Sequence, residues 1–302
     1  MQVMSGRWQM EPFKGLEKIV EKNHPLAKET WYGLGGAADY FLRPQTTEQL
    51  GQVVRRCNEN NVPIYVLGYG SNLLVCDEGV RGAVIQLKTD SFSQIKFDKE
   101  GATAGAGVEL SRLLLTCAKK GLSGLEPLTG IPGSVGGAVR MNSGGNFGDI
   151  GTVVGTVILM DKDGEIFEKS KPELQFDYRQ TNITAKFILE AQMNLAVGDP
   201  DQITRTIKEI WVYKKNNQPL NTINSGCIFK NPRGMSAGAM IDRAGLKGLQ
   251  MGGAVVSEKH ANFIIAKKGC TSRDVTRLIE LVAEKVKKQF GIELELEIEI
   301  WK

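Results

Sequence analysis

Apolar positions along the chain recur at two periods, and each period predicts an element. Leu50, Val53, Val54 and Cys57 share one helical face, and Thr46 or Thr47 can cap that helix, which runs through Asn60. LEKIVEKN at 16–23 predicts a short helix, PIYVLG from Pro63 a strand, and AVIQL at 83–87 another. Residues 92–107 predict a hairpin. ELSRLLLTCAKKG predicts a helix with Leu110, Leu113, Leu114 and Cys117 inward and Gly121 at its end. VVGTVILMDKDGEIFEKS predicts a hairpin turning at Asp163-Gly164, and FILEAQMNLAV a strand. Gly198-Asp199-Pro200 is the best boundary signal, and beyond it the pattern becomes a separate α+β unit. That unit opens with the helix DQITRTIKEIWVYKKN; SAGAMIDRAGLKG is a second helical stretch and HANFIIA a strand. Thr271 and Asp274 form a capping box for a helix carrying Val275, Leu278, Ile279, Val282, Val286 and Phe290, which Gly291 ends. IELELEIEIW then alternates, with Glu293, Glu295, Glu297 and Glu299 on one face of an expected closing strand.

One stretch fits neither period. Residues 121–151, GLSGLEPLTGIPGSVGGAVRMNSGGNFGDIG, contain ten glycines. A loop of this length inside a compact chain is functional or disordered, and Leu122, Leu125, Leu128, Ile131, Val135, Val139 and Met141 make it too apolar for disorder. The segment is expected to wrap a cofactor. Composition points the same way. Glycine accounts for 35 of 302 residues, against a usual ~7%, and 22 of the 35 lie between Glu29 and Gly155. They follow no Gly-X-Y period, which excludes collagen.

Other counts exclude function classes. Two histidines, His24 and His260, cannot build a multi-histidine metal site. Cys57, Cys76, Cys117, Cys227 and Cys270 lie far apart with no CxxC, against zinc knuckles, iron–sulfur ligation or a disulfide framework, and in keeping with a reducing cytoplasm. No bound metal is expected. No apolar run reaches membrane-helix length, and MQVMSGRWQMEPFKG has no signal-peptide core, so a cytoplasmic chain without a membrane partner is expected. A net charge of +4 with dispersed Lys and Arg suits anionic small molecules and is too weak for nucleic acid.

Gly68-x-Gly70-x-x-Leu73 and Gly105-x-Gly107-x-x-Leu110 begin like dinucleotide fingerprints, yet both lack the third glycine, and Gly-Lys is absent, which excludes a P-loop. Cys227, in the polar loop Asn224-Ser225-Gly226-Cys227-Ile228-Phe229-Lys230-Asn231-Pro232, reads equally as a small buried residue or a reactive one. Arg179 reads by default as a surface charge. The C-terminal glutamates read as a solvated strand face from which the pattern singles out none, and His260 as a core or surface histidine.

Taken in order, TWYGLGGAADYFLRP, VLGYGSNLLVCDEG, GLSGLEPLTGIPGSVGGAVRMNSGGNFG, YRQT, GCIFKNP, AGLKG with VSEKHANFII, and FGIELELEIEI resemble the UDP-N-acetylenolpyruvoylglucosamine reductases, from about Thr30 to Trp301. The resemblance implies a p-cresol-methylhydroxylase-type FAD-binding fold of two α+β subdomains, residues 1–88 and 89–199 with the flavin unit at about 30–198. A C-terminal α+β substrate-binding domain at 200–302 follows. It implies non-covalent FAD, NADPH as reductant, and reduction of UDP-N-acetylglucosamine enolpyruvate to UDP-N-acetylmuramate by a monomer or weak oligomer. Carried over residue by residue, Gly68, Tyr69, Gly70, Ser71, Asn72, Leu73, Gly130, Ile131, Pro132, Gly133, Ser134, Gly137 and Ala138 meet the flavin. Arg179 and Glu297 match catalytic positions, and Tyr178, Lys215, Asn231 and His260 match substrate or NADPH positions. The family's proton-donating serine is here Cys227. A thiol keeps an X–H donor, but a strongly cationic pocket would hold it as thiolate, so Cys227 is expected to stay protonated despite nearby Lys230. Only 47 residues separate Arg179 from Cys227, with no apparent insertion for the tyrosine-bearing loop some members carry, so the chain resembles the loop-lacking type. Two alternatives stay open: another FAD enzyme of the same fold, or an inactive nucleotide-sugar-binding relative. Many such oxidases attach FAD through histidine or cysteine, and the central half has no histidine.

Overall fold

The computed structural model describes residues 12–99 and 101–302. The reading of the N-terminal segment as lacking a signal-peptide core falls largely on residues 1–11, outside the described residues. The first region runs β1 (Val20–Pro25), β2 (Ala37–Leu42), α1 (Thr47–Glu59), β3 (Ile64–Leu67), β4 (Leu73–Val75) and β5 (Val80–Gln86). The second runs β6 (Ile95–Phe97), β7 (Gly101–Gly105), α2 (Leu110–Lys119), β8 (Leu122–Ser123), α3 (Val135–Arg140), β9 (Gly144–Gly145), β10 (Gly148–Asp149), β11 (Val154–Met160), β12 (Ile166–Ser170), β13 (Phe176–Asp177), β14 (Gln180–Thr181), β15 (Phe187–Asn194) and β16 (Ala196–Val197). The third runs α4 (Pro200–Asn217), α5 (Ala237–Arg243), β17 (Gln250–Met251), β18 (Ala254–Val256), β19 (Ile264–Ala266), α6 (Ser272–Phe290) and β20 (Glu299–Trp301).

Each region centres on its own sheet. The first has order β1-β2-β5-β3, with β5 parallel to both neighbours and almost wholly buried. Its burial on both faces fits the mostly apolar run AVIQL, in which Gln86 is the one polar residue. Helix α1 covers one face; the Thr46 hydroxyl accepts the Gln49 N–H, and Leu50, Val53, Val54 and Cys57 are fully buried. The second sheet, β12-β11-β15-β7-β6, is antiparallel and packs against α2 and α3. The third is the small sheet β17-β18-β19 under α6, whose capping box forms as expected and whose end is Gly291 at φ 71°.

Two expectations change. Residues 16–23 form no α-helix: a 3-10 turn at Glu17–Ile19 leads into β1, which pairs antiparallel with β2. A sheet edge offers backbone partners that a short isolated helix lacks, and tertiary pairing overrides weak propensity. The closing strand is also shorter than its alternation suggests. Only Glu299–Trp301 form β20, which pairs parallel with β4 of the first region, while Leu296 meets Phe229 in a single bridge and is 40% exposed. Alternation marks faces but cannot supply a partner strand. Helix α4 packs Ile207 against the core of the second region, next to α2 and the turn at Glu126–Leu128.

Two further contacts bind the regions. Asp77 accepts from the N–H groups of Ser272 and Arg273 at the start of α6, and Tyr32 donates its hydroxyl to the Ile264 carbonyl. Among the described residues, no helix is long and apolar enough to cross a membrane.

Candidate active site

A cavity of about 1020 Å³ lies where the three regions meet. This is the upper end of the size of small-molecule sites and leaves room for more than one ligand. Its walls differ in kind. One is backbone. Residues 68–73 follow β3, and residues 130–138 run from an irregular stretch into α3; both line the cavity. The loops touch each other through the Ser71 hydroxyl, which donates to the Pro132 carbonyl at 3.1 Å. Gly70 and Gly133 have φ of 65° and 129°, and a Cβ on Gly70 would sit 2.2 Å from the Glu29 carbonyl oxygen, so glycine is required by both sterics and dihedral. Among the described residues, none accepts a hydrogen bond from the backbone N–H of Tyr69, Gly70, Ser71, Gly133 or Ser134. Clustered donors facing a cavity without partners make an anion site.

The opposite wall is built from side chains on separated segments. Arg179 sits at the turn of the β13–β14 hairpin with φ 59°, a left-handed conformation rare outside glycine, and such strain persists where the surroundings impose it. Asn142 holds that hairpin, donating its amide to the Asp177 carbonyl while its amide oxygen accepts the Gly151 N–H. Cys227 to Lys230 is gripped from two sides. Ile228 N–H donates to the Asn262 carbonyl, Asn262 exchanges two side-chain bonds with Phe229, and Glu297 N–H donates back to the Ile228 carbonyl. This three-way register brings Glu297 beside Cys227. Arg179 Nε then donates to Glu297 Oε1 at 2.5 Å, with both side chains less than one-fifth exposed. No protein acceptor among the described residues meets the terminal NH2 groups of Arg179. Asn72 ties the two walls together by donating its amide to the Glu297 carbonyl at 3.0 Å.

Burial sets the electrostatics. It pushes the Cys227 thiol up to about 12; Glu297 adds to this, and Arg179 opposes it. Burial also raises the pKa of the Glu297 carboxyl against the pull of Arg179 and Lys230. The Lys230 ammonium pairs with Glu295 at 3.6 Å. Burial, reinforced by Arg179, draws the Lys214 ammonium down to about 8. Burial lowers the pKa of His260.

Every residue expected to meet the flavin lines the cavity: Gly68 to Leu73, Gly130 to Ser134, Gly137 and Ala138. Arg179, Cys227, Glu297, Tyr178, Asn231 and His260 line it too, and the Tyr178 hydroxyl accepts the Asn231 N–H at 3.1 Å. Lys215 does not. It is exposed, and its carbonyl accepts from Lys259, while Lys214 one position earlier lines the cavity at 7% exposure. One residue is 100° of helix, enough to exchange solvent for cavity. The sequence held a signal for this: Lys214 continues the apolar stripe Ile203, Ile207, Ile210 of α4. Asn142 and Asn262 had none. Gly105 and Gly107 lie outside this cavity; a Cβ on either would strike the carbonyl oxygen of Phe92 or Leu87, so they serve close packing.

Comparison with known proteins agrees in both halves. Residues 38–170 match the model of an FAD binding domain, and 218–301 that of the UDP-N-acetylenolpyruvoylglucosamine reductase C-terminal domain. UDP-N-acetylenolpyruvoylglucosamine reductase of Clostridium tetani is 39% identical over 281 residues, covering 92% of this chain and 91% of that one. Its counterpart from Carboxydothermus hydrogenoformans is 41% identical over 290 residues, covering 95% of each. The crystal structure of the Thermus caldophilus reductase superposes with a TM-score of 0.81 at 37% identity, over 94% of this chain and 99% of that one.

Proposed function

The chain belongs to the UDP-N-acetylenolpyruvoylglucosamine reductase family, and from that premise we propose how its own residues divide the work. The enzyme catalyses NADPH-dependent, FAD-mediated reduction of UDP-N-acetylglucosamine enolpyruvate to UDP-N-acetylmuramate, a step of peptidoglycan precursor synthesis. Bound flavin supplies hydride transfer from NADPH to C3 of the enolpyruvyl ether. The unpartnered N–H groups of Tyr69 to Ser71 and of Gly133 and Ser134 fit a diphosphate, and we assign them that role.

Hydride addition at C3 places carbanion character on C2, which the neighbouring carboxylate must absorb. Arg179 offers its terminal nitrogens to that carboxylate while its Nε holds Glu297. Glu297, raised by burial, donates a hydrogen bond in its neutral form to the developing charge. Cys227, kept as a thiol, gives its proton to C2 and is reprotonated from solvent. Lys214, Tyr178, Asn231 and His260 bind the anionic substrate or NADPH. The observation that carries this reading is the convergence of a cysteine thiol, an arginine and a largely buried carboxyl at one end of a backbone-lined cavity.

Dispersed basic residues and free cysteines support action in the cytoplasm, as a monomer or weak oligomer without nucleic-acid or membrane partners. The deciding experiment is an anaerobic titration. The yellow protein bleaches with NADPH and recovers its colour with the enolpyruvyl substrate. Bleaching without recovery removes this assignment of residues to the chemistry.

A further inference from the structure

The loop from Gly68 to Ser71 must aim its N–H groups in one direction, and its anchors lie behind it. Gln86 closes β5 opposite Leu67 of β3 and is 1% exposed. Its amide nitrogen donates to the Gly68 carbonyl at 3.1 Å and to Glu29 Oε2 at 3.2 Å, and its amide oxygen accepts from Arg43 Nε at 3.3 Å. Arg43 also pairs with Glu29 at 3.0 Å and Glu21 at 2.6 Å, and His24 touches the same two carboxylates. This network fixes the amide orientation. Reversed, its oxygen would face a carboxylate and a carbonyl, and its nitrogen a guanidinium. Gln86, Glu29, Arg43 and His24 all lie outside the cavity wall.

In a trans peptide the C=O and the following N–H point in opposite directions, and the described chain has no cis bond. Tying the Gly68 carbonyl back therefore turns the Tyr69 N–H forward. The Gly70 carbonyl is tied back in the same way by the Trp31 N–H at 3.0 Å, which turns the Ser71 N–H forward.

We propose that Gln86 is a positioning residue for the flavin, holding the Gly68 carbonyl away from the cavity so that the next N–H groups face the FAD diphosphate. This rests on the assignment of that loop to the diphosphate. The test is ligand binding to flavin-stripped protein, using FAD, ADP and riboflavin, with the thermal midpoint of the stripped protein measured alongside. In Gln86→Met, FAD and ADP weaken about tenfold while riboflavin, which has no phosphate, binds as in the wild type; the thermal midpoint of the stripped protein falls, because Gly68, Glu29 and Arg43 each lose a hydrogen-bond partner. Arg43→Met, a half-exposed change that releases the Gln86 amide oxygen, weakens FAD and ADP about threefold. Unchanged FAD and ADP affinity in both variants overturns the proposal, as does equal weakening of riboflavin. Wild-type protein that binds FAD but not ADP overturns the assignment of the loop instead.

Discussion

The two walls of the cavity achieve specificity by opposite means. The wall proposed for the flavin is backbone: two glycine-rich loops in which, among the described residues, nothing accepts from the N–H groups of Tyr69 to Ser71, Gly133 and Ser134. The chemical wall is side chains: Arg179 from a hairpin turn, Cys227 from a loop and Glu297 from the C-terminal segment, joined by hydrogen bonds between segments. The first needs the absence of Cβ atoms, which shows in composition. The second needs particular functional groups at a few points, which composition cannot register.

The difference between the walls can be broken by substitution. The largest effect is expected at Cys227. Cys227→Ala should lower enolpyruvate reduction by about 10²–10⁴ while NADPH still bleaches the flavin; Cys227→Ser should retain measurable turnover. Stopped-flow traces of flavin reduction and reoxidation separate the two half-reactions, and a slowed first half would contradict the assignment. Next, Glu297→Gln and Arg179→Gln should each slow reoxidation by roughly 10²–10³ with flavin content unchanged. In the wild type, the half-reaction should fall as pH rises through the raised Glu297 pKa, since only the neutral carboxyl donates. No thiolate-related loss should appear on the way, because Cys227 titrates near 12.

The flavin wall should respond in the opposite sense. Gly70→Ala forces a Cβ to 2.2 Å from the Glu29 carbonyl oxygen, so FAD should dissociate readily, and activity should recover in proportion to FAD bound. Smaller again is Lys214→Met, expected to raise KM for the anionic ligands several-fold with little change in kcat. Wild-type KM should rise with pH above about 8, as the ammonium loses its proton, and the variant should lose that dependence. The smallest effect tests neither wall. Thr271→Ala removes the cap of α6 and should lower stability by ~1 kcal/mol in denaturant titration, leaving kcat and KM unchanged.

Legibility followed the same division. The α6 capping box, the α1 stripe and the hairpin at Asp163-Gly164 were readable because their signals are local. The 16–23 segment misled because its partner strand, β2, lies some twenty residues away. Lys215 misled because a motif carries the spacing to a proline but not the rotation of a helix. Lys214, on the apolar stripe of α4, was the readable alternative.

By itself, the sequence determined the glycine-rich loops that line the cavity, the elements between them and, through its ordered motifs, the family. Those features depend on neighbours along the chain and on which backbone positions can tolerate a side chain. Tertiary structure decided that the Glu297 carboxyl, among four alternating glutamates, accepts from Arg179, and that burial raises the pKa of both Glu297 and Cys227. Partner identity and desolvation depend on segments more than a hundred residues apart in sequence, and only the folded chain brings those together.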